Sequence, residues 1–544
     1  MPDDESKGLS LQQVSRTLSN LESRIKRIER ELNIEPAEAE VETPVEALTD
    51  SAKSSGENLE IKIGLYWFAK VGIVTLLIGV VLLLLQPYKT LPPSFAPVLG
   101  CILAGGSLLI SRFLKKTFPL LSGYLLGSAL ALLFFSTLRL HYFTRQPSLS
   151  PGIVETLLLL MVAIVSMIVS VRRKSVYLAS ISLSMFLIVA LLTEHPYSFF
   201  TITLIAAVLT CCFTIMYRWE SFLIYGVSAI YLTNLIWLLN NPLVGNQLTF
   251  RPVPYYATLL ILLWPILFSV GTFFRPSKER EQLVVIINTL LNLCLGYGLF
   301  LLVTVSEFQN LLTASSLAAS VVFMALAIAF WLKERSRYQT FFYAMTGYAA
   351  LSIAIVAGFT QPGFFILLCW QSLLVVSTAI WFRSKFIVVT NFVIYSLIFL
   401  AYLLLARAIG IASLSFGVVA LLSARILNWQ QKRLELQTDK MRIAYLVAAF
   451  FIFPFALYHS VPKNYVSLSW LAVALVYYVI SLVLKNMKYR WMALLTFLMT
   501  ALYLIIVGIT KLEPTFRILS FLALGFVLLV ISFIYARTRF KSGS

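Results

Sequence analysis

Hydrophobic residues in this chain come in runs of about twenty, one after another, and the charges gather in the short connections between them. A helix needs roughly 20 apolar residues to cross the hydrocarbon core of a bilayer. It is the simplest spanning solution because it satisfies its own backbone hydrogen bonds. The runs are unbroken and do not alternate, which argues against a transmembrane barrel. The pattern predicts eighteen spans, the first near residues 66–86 and the last near 514–535. The expected fold class is therefore all-α, a polytopic integral membrane helical bundle over residues 61–544.

The first sixty residues follow a different rhythm. Leu11, Val14, Leu18, Leu21, Ile25, Ile28 and Leu32 recur at spacings of 3 and 4. That is a heptad seam with Leu11, Leu18, Ile25 and Leu32 at a and Val14, Leu21 and Ile28 at d. Arg24 falls at g and Glu29 at the next e, positions that attract across a parallel pair. Residues 1–33 are thus expected to form a coiled coil that self-associates or recruits a protein partner through residues 11–32. A helix lying on the membrane surface is the alternative. Residues 34–60, rich in Glu, Ala, Ser and Thr with Pro36 and Pro44, have no apolar face to bury and read as a disordered acidic linker.

Composition changes this picture little. The chain is 59% hydrophobic and only 12% charged, against about 25% charged in an ordinary soluble domain. Lipid must cover the surplus, so membrane lipid is the first expected partner. The net charge of +19 divides unevenly, because residues 1–60 hold 7 basic and 14 acidic side chains. The basic excess belongs to the membrane part and excludes a nucleic-acid surface as its main meaning. Numbering the connections in order, 26 Lys and Arg residues lie in or beside the even-numbered ones and the C-terminal tail, and 8 in or beside the odd-numbered ones. By the positive-inside rule the basic side is cytoplasmic. Both termini are then expected in the cytoplasm. The start, MPDDESKGLS, lacks a basic n-region and an apolar h-region, so no cleaved signal peptide is expected.

The spans also look serially repeated. Arg337-Tyr338 through Trp381-Phe382-Arg383 parallels Lys488-Tyr489 through Tyr535-Ala536-Arg537, with periods of 46 and 49 residues. Each repeat is a hairpin opened by a basic turn with aromatic flanks, in the same orientation and not inverted.

Two stretches resemble a known family. One is Ile63-Gly64-Leu65-Tyr66-Trp67-Phe68-Ala69-Lys70-Val71-Gly72-Ile73, followed by a Leu/Val run with Gly79. The other is Arg517-Ile518-Leu519-Ser520-Phe521, then Leu524-Gly525, Leu528-Leu529, Ser532 and Tyr535. Both resemble a large bacterial family of multi-spanning membrane proteins whose domain is known only as a domain of unknown function. Its layout of coiled coil, acidic or Pro-rich linker and many helices is the order seen here. Family members often carry an Asp just before the arginine, where this chain reads Gly508-Ile509-Thr510-Lys511-Leu512-Glu513. The resemblance implies a multi-pass protein of the bacterial inner membrane and brings no activity with it.

Candidate chemistry is sparse. Ionisable residues inside a bilayer usually mark transport or catalysis, and the spans hold almost none. Lys70, Arg407 and Arg425 lie near span ends and can snorkel. The mid-span polar groups are the amides Asn234, Asn288, Asn292 and Gln371. Asn288 and Asn292 share a helix face at i, i+4. Interhelical hydrogen bonding is the first reading, and a substrate pocket formed by Asn288, Asn292 and Gln371 the sharper one. His141, His195 and His459 all fall on the non-cytoplasmic side with Glu155, Glu194, Glu307 and Glu513, a combination able to do acid–base work. Simple capping and interface roles compete with that reading. Cys101, Cys211, Cys212, Cys294 and Cys369 sit in apolar runs without metal-type spacing and read as small buried residues. Neither a cofactor nor a metal is expected. Gly123–Gly127 is a GxxxG contact, and Pro265 and Pro454 should kink their helices. The leading expectation is a non-enzymatic cell-envelope protein, scaffold or transporter-like. The rivals are a lipid or lipid-linked-sugar transporter and a membrane-embedded transferase with an outer-face His/Glu site.

Overall fold

The computed structural model of the chain describes residues 68–86, 92, 94–140, 142, 153–193, 195–242, 245–274, 283–334, 337–406, 410, 412–429, 438–508 and 512–541. The heptad segment, the acidic linker, His141, Glu194 and Arg407 lie outside them.

Among the described residues eighteen α-helices follow one another: α1 (Phe68–Leu85), α2 (Phe95–Leu114), α3 (Pro119–Leu138), α4 (Ile153–Arg173), α5 (Val176–Leu192), α6 (Pro196–Tyr217), α7 (Glu220–Leu238), α8 (Tyr256–Phe273), α9 (Leu283–Glu307), α10 (Leu312–Glu334), α11 (Arg337–Gly358), α12 (Gly363–Trp381), α13 (Lys385–Leu405), α14 (Ala412–Trp429), α15 (Thr438–Ser460), α16 (Val466–Leu484), α17 (Met487–Tyr503) and α18 (Pro514–Lys541). Each coincides with one predicted hydrophobic run. No strand occurs among the described residues. Among the described residues sixteen spans are long and apolar enough to cross a membrane, and Val71–Leu85 and Val176–Leu192 are shorter apolar helices. The 17 residues of α5 rise about 26 Å at 1.5 Å per residue, close to the ~30 Å hydrocarbon core.

The outward faces are apolar. Phe113, Leu404, Val483 and Leu529 are each at least 72% exposed, an arrangement suited to lipid and not to water. The interior is built largely from alanine, leucine, serine, threonine and aromatic residues. Without a hydrophobic drive to associate in lipid, small side chains let helix backbones approach. Buried hydroxyls such as Thr203, Thr289, Thr304 and Thr496 donate to the carbonyl four residues back and so need no partner helix.

The described residues divide into two compact units, one holding residues 68–83 and Leu109–Ser128, the other Leu84–Leu108 and those from Ala129 onward. In the first, Ser111 and Ser122 exchange hydrogen bonds, each hydroxyl donating to the other residue's carbonyl at 2.8 and 2.7 Å. In the second, the most extensive packing joins α10 to α11, α14 to α15, α16 to α17 and α4 to α5. All four pairs are linked through even-numbered, basic connections. The hairpin closed on the basic side is therefore the packing unit, the reverse of the repeat in the sequence, which pairs α11 with α12 and α17 with α18 across odd-numbered connections.

Four of the basic connections share a conformation that the sequence concealed. Lys174, Arg218, Arg383 and Lys485 adopt φ of 49°, 56°, 50° and 47°. Each is followed by an N-cap residue outside the helical region: Ser175, Trp219, Ser384 and Asn486. The backbone amides of Ser175, Ser384 and Asn486 reach back five residues to the carbonyls of Ser170, Ala379 and Ser481. This is a helix C-terminal lock of the Schellman type, usually occupied by glycine. A left-handed lysine or arginine is strained relative to glycine. Its cation, however, lies beside the carbonyl end of the helix, where positive charge is favoured. Four residues earlier a small, buried residue recurs: Ser170, Thr214, Ala379 and Ser481.

Candidate functional site

The mid-span amides mark two buried polar clusters. The first centres on α9. Asn292 donates through Nδ2 to the Pro265 carbonyl of α8 at 3.0 Å and accepts from the Tyr231 hydroxyl of α7 at 2.9 Å. Ser269, one turn beyond Pro265, also donates to the Pro265 carbonyl and meets the Tyr343 hydroxyl of α11 at 2.6 Å. Proline inside a helix disrupts the local i to i−4 ladder, and the groups around Pro265 are re-satisfied from neighbouring helices, as a bilayer requires. Gly296, one turn above Asn292, makes the approach possible. A Cβ there would lie 2.5 Å from the Tyr231 hydroxyl and 2.7 Å from Pro265 Cγ.

Asn288 lies one turn below Asn292 and is equally buried, yet its Oδ1 has no hydrogen-bond partner among the described residues. Asn234 donates to the Ile230 carbonyl of its own helix at 2.8 Å. The i, i+4 amide pair of α9 is thus divided: Asn292 joins three helices, while Asn288 has an unmet acceptor.

The second cluster joins α11, α12, α13 and α15. Gln371 donates to the Tyr348 carbonyl at 2.8 Å and accepts from Ser352 at 3.2 Å. Asn391 donates to the Ser372 hydroxyl at 2.9 Å and the Tyr445 hydroxyl at 3.0 Å. Tyr348 is also hydrogen-bonded to Thr378. A cavity of about 80 Å³ remains between Tyr348, Ser352, Gln371, Ser372 and Asn391. It has room and polar partners for a few waters, and is far below the ~300 Å³ of a small-molecule site. Gln371 lines it; Asn288 and Asn292 do not. Asn391, Tyr445, Tyr231 and Tyr343 were not among the residues singled out in the sequence. Asn391 carried the same signal as the others, an amide within an apolar run. The tyrosines gave none, since tyrosine abounds in these spans.

The described outer-face acid–base residues stand at helix ends. Glu155 is buried in the first turn of α4. His195 is the exposed N-cap residue of α6 and makes no side-chain cap bond. Glu307 ends α9, and His459 sits in the last turn of α15 with Nδ1 3.0 Å from the Phe455 carbonyl. Among the described residues no hydrogen bond or ion pair links His195 or His459 to Glu307 or Glu513. Nor does any group of three His, Cys, Asp or Glu side chains there come together as metal ligands. Cys211 and Cys369 are buried, whereas Cys101, Cys212 and Cys294 are exposed on apolar helix faces, so only two of the five fit the expectation of burial.

Larger spaces open at the bundle's flank. A groove of about 810 Å³ runs between α4 and α6, with Phe186 of α5 behind it. Its lining is almost wholly apolar, and Arg172 stands at its basic end. A second groove of about 380 Å³, between α14 and α16, is again apolar, with Arg425 and Tyr489 at its basic end. A third, of about 520 Å³, lies toward the opposite side among Pro454, Tyr458, Trp470 and Tyr503, and no charged residue lines it. On the basic side, Arg442 bridges Asn428 and Asp439, and Lys488 reaches Asp439 at 3.3 Å, tying α14, α15 and α17 together.

Fold and site together define a polytopic α-helical membrane protein with a hydrogen-bonded interior and apolar flank grooves. Comparison of the chain with protein-family models, with curated proteins and with solved structures gives no match.

Proposed function

We propose that this chain is a non-catalytic membrane scaffold of the bacterial inner membrane, with both termini in the cytoplasm, that recruits a second copy or a partner protein through residues 11–32. One observation carries the scaffold part: the mid-span amides Asn292, Gln371 and Asn391 bond to carbonyls and hydroxyls of neighbouring helices. Groups engaged in that way hold helices together and are withdrawn from a substrate. The recruitment part rests on the heptad pattern, the orientation on loop charge, and the inner-membrane placement on the family resemblance. Deleting residues 1–33 and weighing the purified protein in detergent tests recruitment. A lower mass, or loss of co-purifying proteins, is expected. An unchanged mass with unchanged companions would overturn it.

A second reading, lipid or lipid-linked-sugar handling, draws on the flank grooves, whose apolar walls suit an acyl chain. The outer-face transferase reading has no hydrogen-bonded His/Glu pair among the described residues in its support.

A further inference from the structure

The groove between α4 and α6 differs from an ordinary lipid-facing seam in how it ends. Its wall residues Ile164 and Ile168 on α4 and Ile205 on α6 are each at least 42% exposed, so the groove is open along its length. Leu209 and Phe186 complete it. From Thr156 to Arg172 the α4 wall spans about 24 Å at 1.5 Å per residue, most of the ~30 Å hydrocarbon core. A volume of about 810 Å³ lies within the ~300–1,000 Å³ of small-molecule sites.

Arg172 is in the last turn of α4, followed by Arg173 and by Lys174 in the left-handed turn. A guanidinium at that depth offers a bidentate fork to a phosphate above an apolar trough for a fatty chain. The groove ending at Arg425 repeats the arrangement independently. The uncharged lining of the groove toward the opposite side shows that the arginine is not a general feature of gaps in this bundle.

We propose that the α4–α6 groove is a binding site for an anionic phospholipid of the basic-side leaflet, with Arg172 holding the phosphate and Ile164, Ile168, Ile205 and Leu209 holding one acyl chain. The site goes beyond the scaffold reading and does not involve the heptad segment. A variant lacking residues 1–33 should bind lipid like the full chain, so the two readings fail separately.

The test uses full-length protein in detergent, offered equal amounts of dioleoyl phosphatidylglycerol and dioleoyl phosphatidylcholine and read by native mass spectrometry. Wild-type protein is expected to retain phosphatidylglycerol preferentially. Arg172→Gln, a change at an exposed residue that the fold tolerates, should reduce the preference about fivefold, the worth of one basic group at a membrane surface. Arg173→Gln, outside the lining, should leave it within twofold. Ile205→Trp and Ile164→Trp, each filling an open wall, should lower retention of both lipids. Equal retention of the two lipids by wild type, or the same preference in Arg172→Gln, would overturn the proposal. So would a doubled mass, insensitive to added lipid, in the variant lacking residues 1–33, which would make a second copy of the chain the occupant.

Discussion

The centre of α9 and the flank of α4 sit in the same kind of apolar helix and handle their surroundings in opposite ways. At Asn292, polar atoms are matched one to one: an amide hydrogen to the Pro265 carbonyl, an amide oxygen to the Tyr231 hydroxyl, and a missing side chain at Gly296 to let the partners close. Along α4 the side chains of Ile164 and Ile168 are exposed, offer no polar atom to match, and face a groove. The difference teaches where specificity resides in such a bundle. Lipid and helix are equally apolar, so apolar area alone cannot decide which helices pair. Directional contacts and close backbone approach decide it, and the faces that lack both are left to lipid.

Substitutions at Gly296 should have the largest effect. Gly296→Leu forces a branched side chain where even a Cβ is 2.5 Å from the Tyr231 hydroxyl. Overpacking costs typically about 1–3 kcal/mol, and a loss near the top of that range is expected in thermal unfolding in detergent. Asn292→Leu comes next. It leaves the Tyr231 hydroxyl without its acceptor and removes one donor to the Pro265 carbonyl. Unsatisfied buried groups cost about 1–3 kcal/mol, and hydrogen bonds in membrane proteins up to about 1.7 kcal/mol, so a loss near 2 kcal/mol is expected. Lys485→Gly should raise stability by up to about 1 kcal/mol by relieving the left-handed strain, less whatever the cation contributes at the helix end. Lys485→Val, branched at Cβ in the same conformation, should lower it. Unfolding curves for the pair give both signs. Asn288→Leu should have the smallest effect, within about 0.5 kcal/mol, because its oxygen already lacks a partner.

The helices were legible because their length is set by the bilayer: a run of twenty apolar residues between charged turns has little choice. The basic connections were legible for the same reason, and their hairpins turned out to be the best-packed pairs. The turn conformation was not. Glycine announces a left-handed residue, and here lysine and arginine occupy the position at 174, 218, 383 and 485. Asn292 and Gln371 were visible as isolated amides in apolar runs, and Asn391 was equally visible. Their partners were not, because the choice among many equally apolar neighbours depends on three-dimensional register. Arg172 read only as loop charge, since a groove is a gap between helices distant in sequence. Side-of-membrane assignment puts His195, Glu307 and His459 at one level and leaves their separation within it open.

The most direct test of the claim that mid-span amides hold this bundle together is a side-by-side unfolding measurement of Asn292→Leu and Asn288→Leu in one detergent. Both remove a buried asparagine from the same face of α9, one turn apart. The expected result is a loss near 2 kcal/mol for Asn292→Leu and almost none for Asn288→Leu. Equal losses at the two positions, or a stable Asn292→Leu protein, would contradict it.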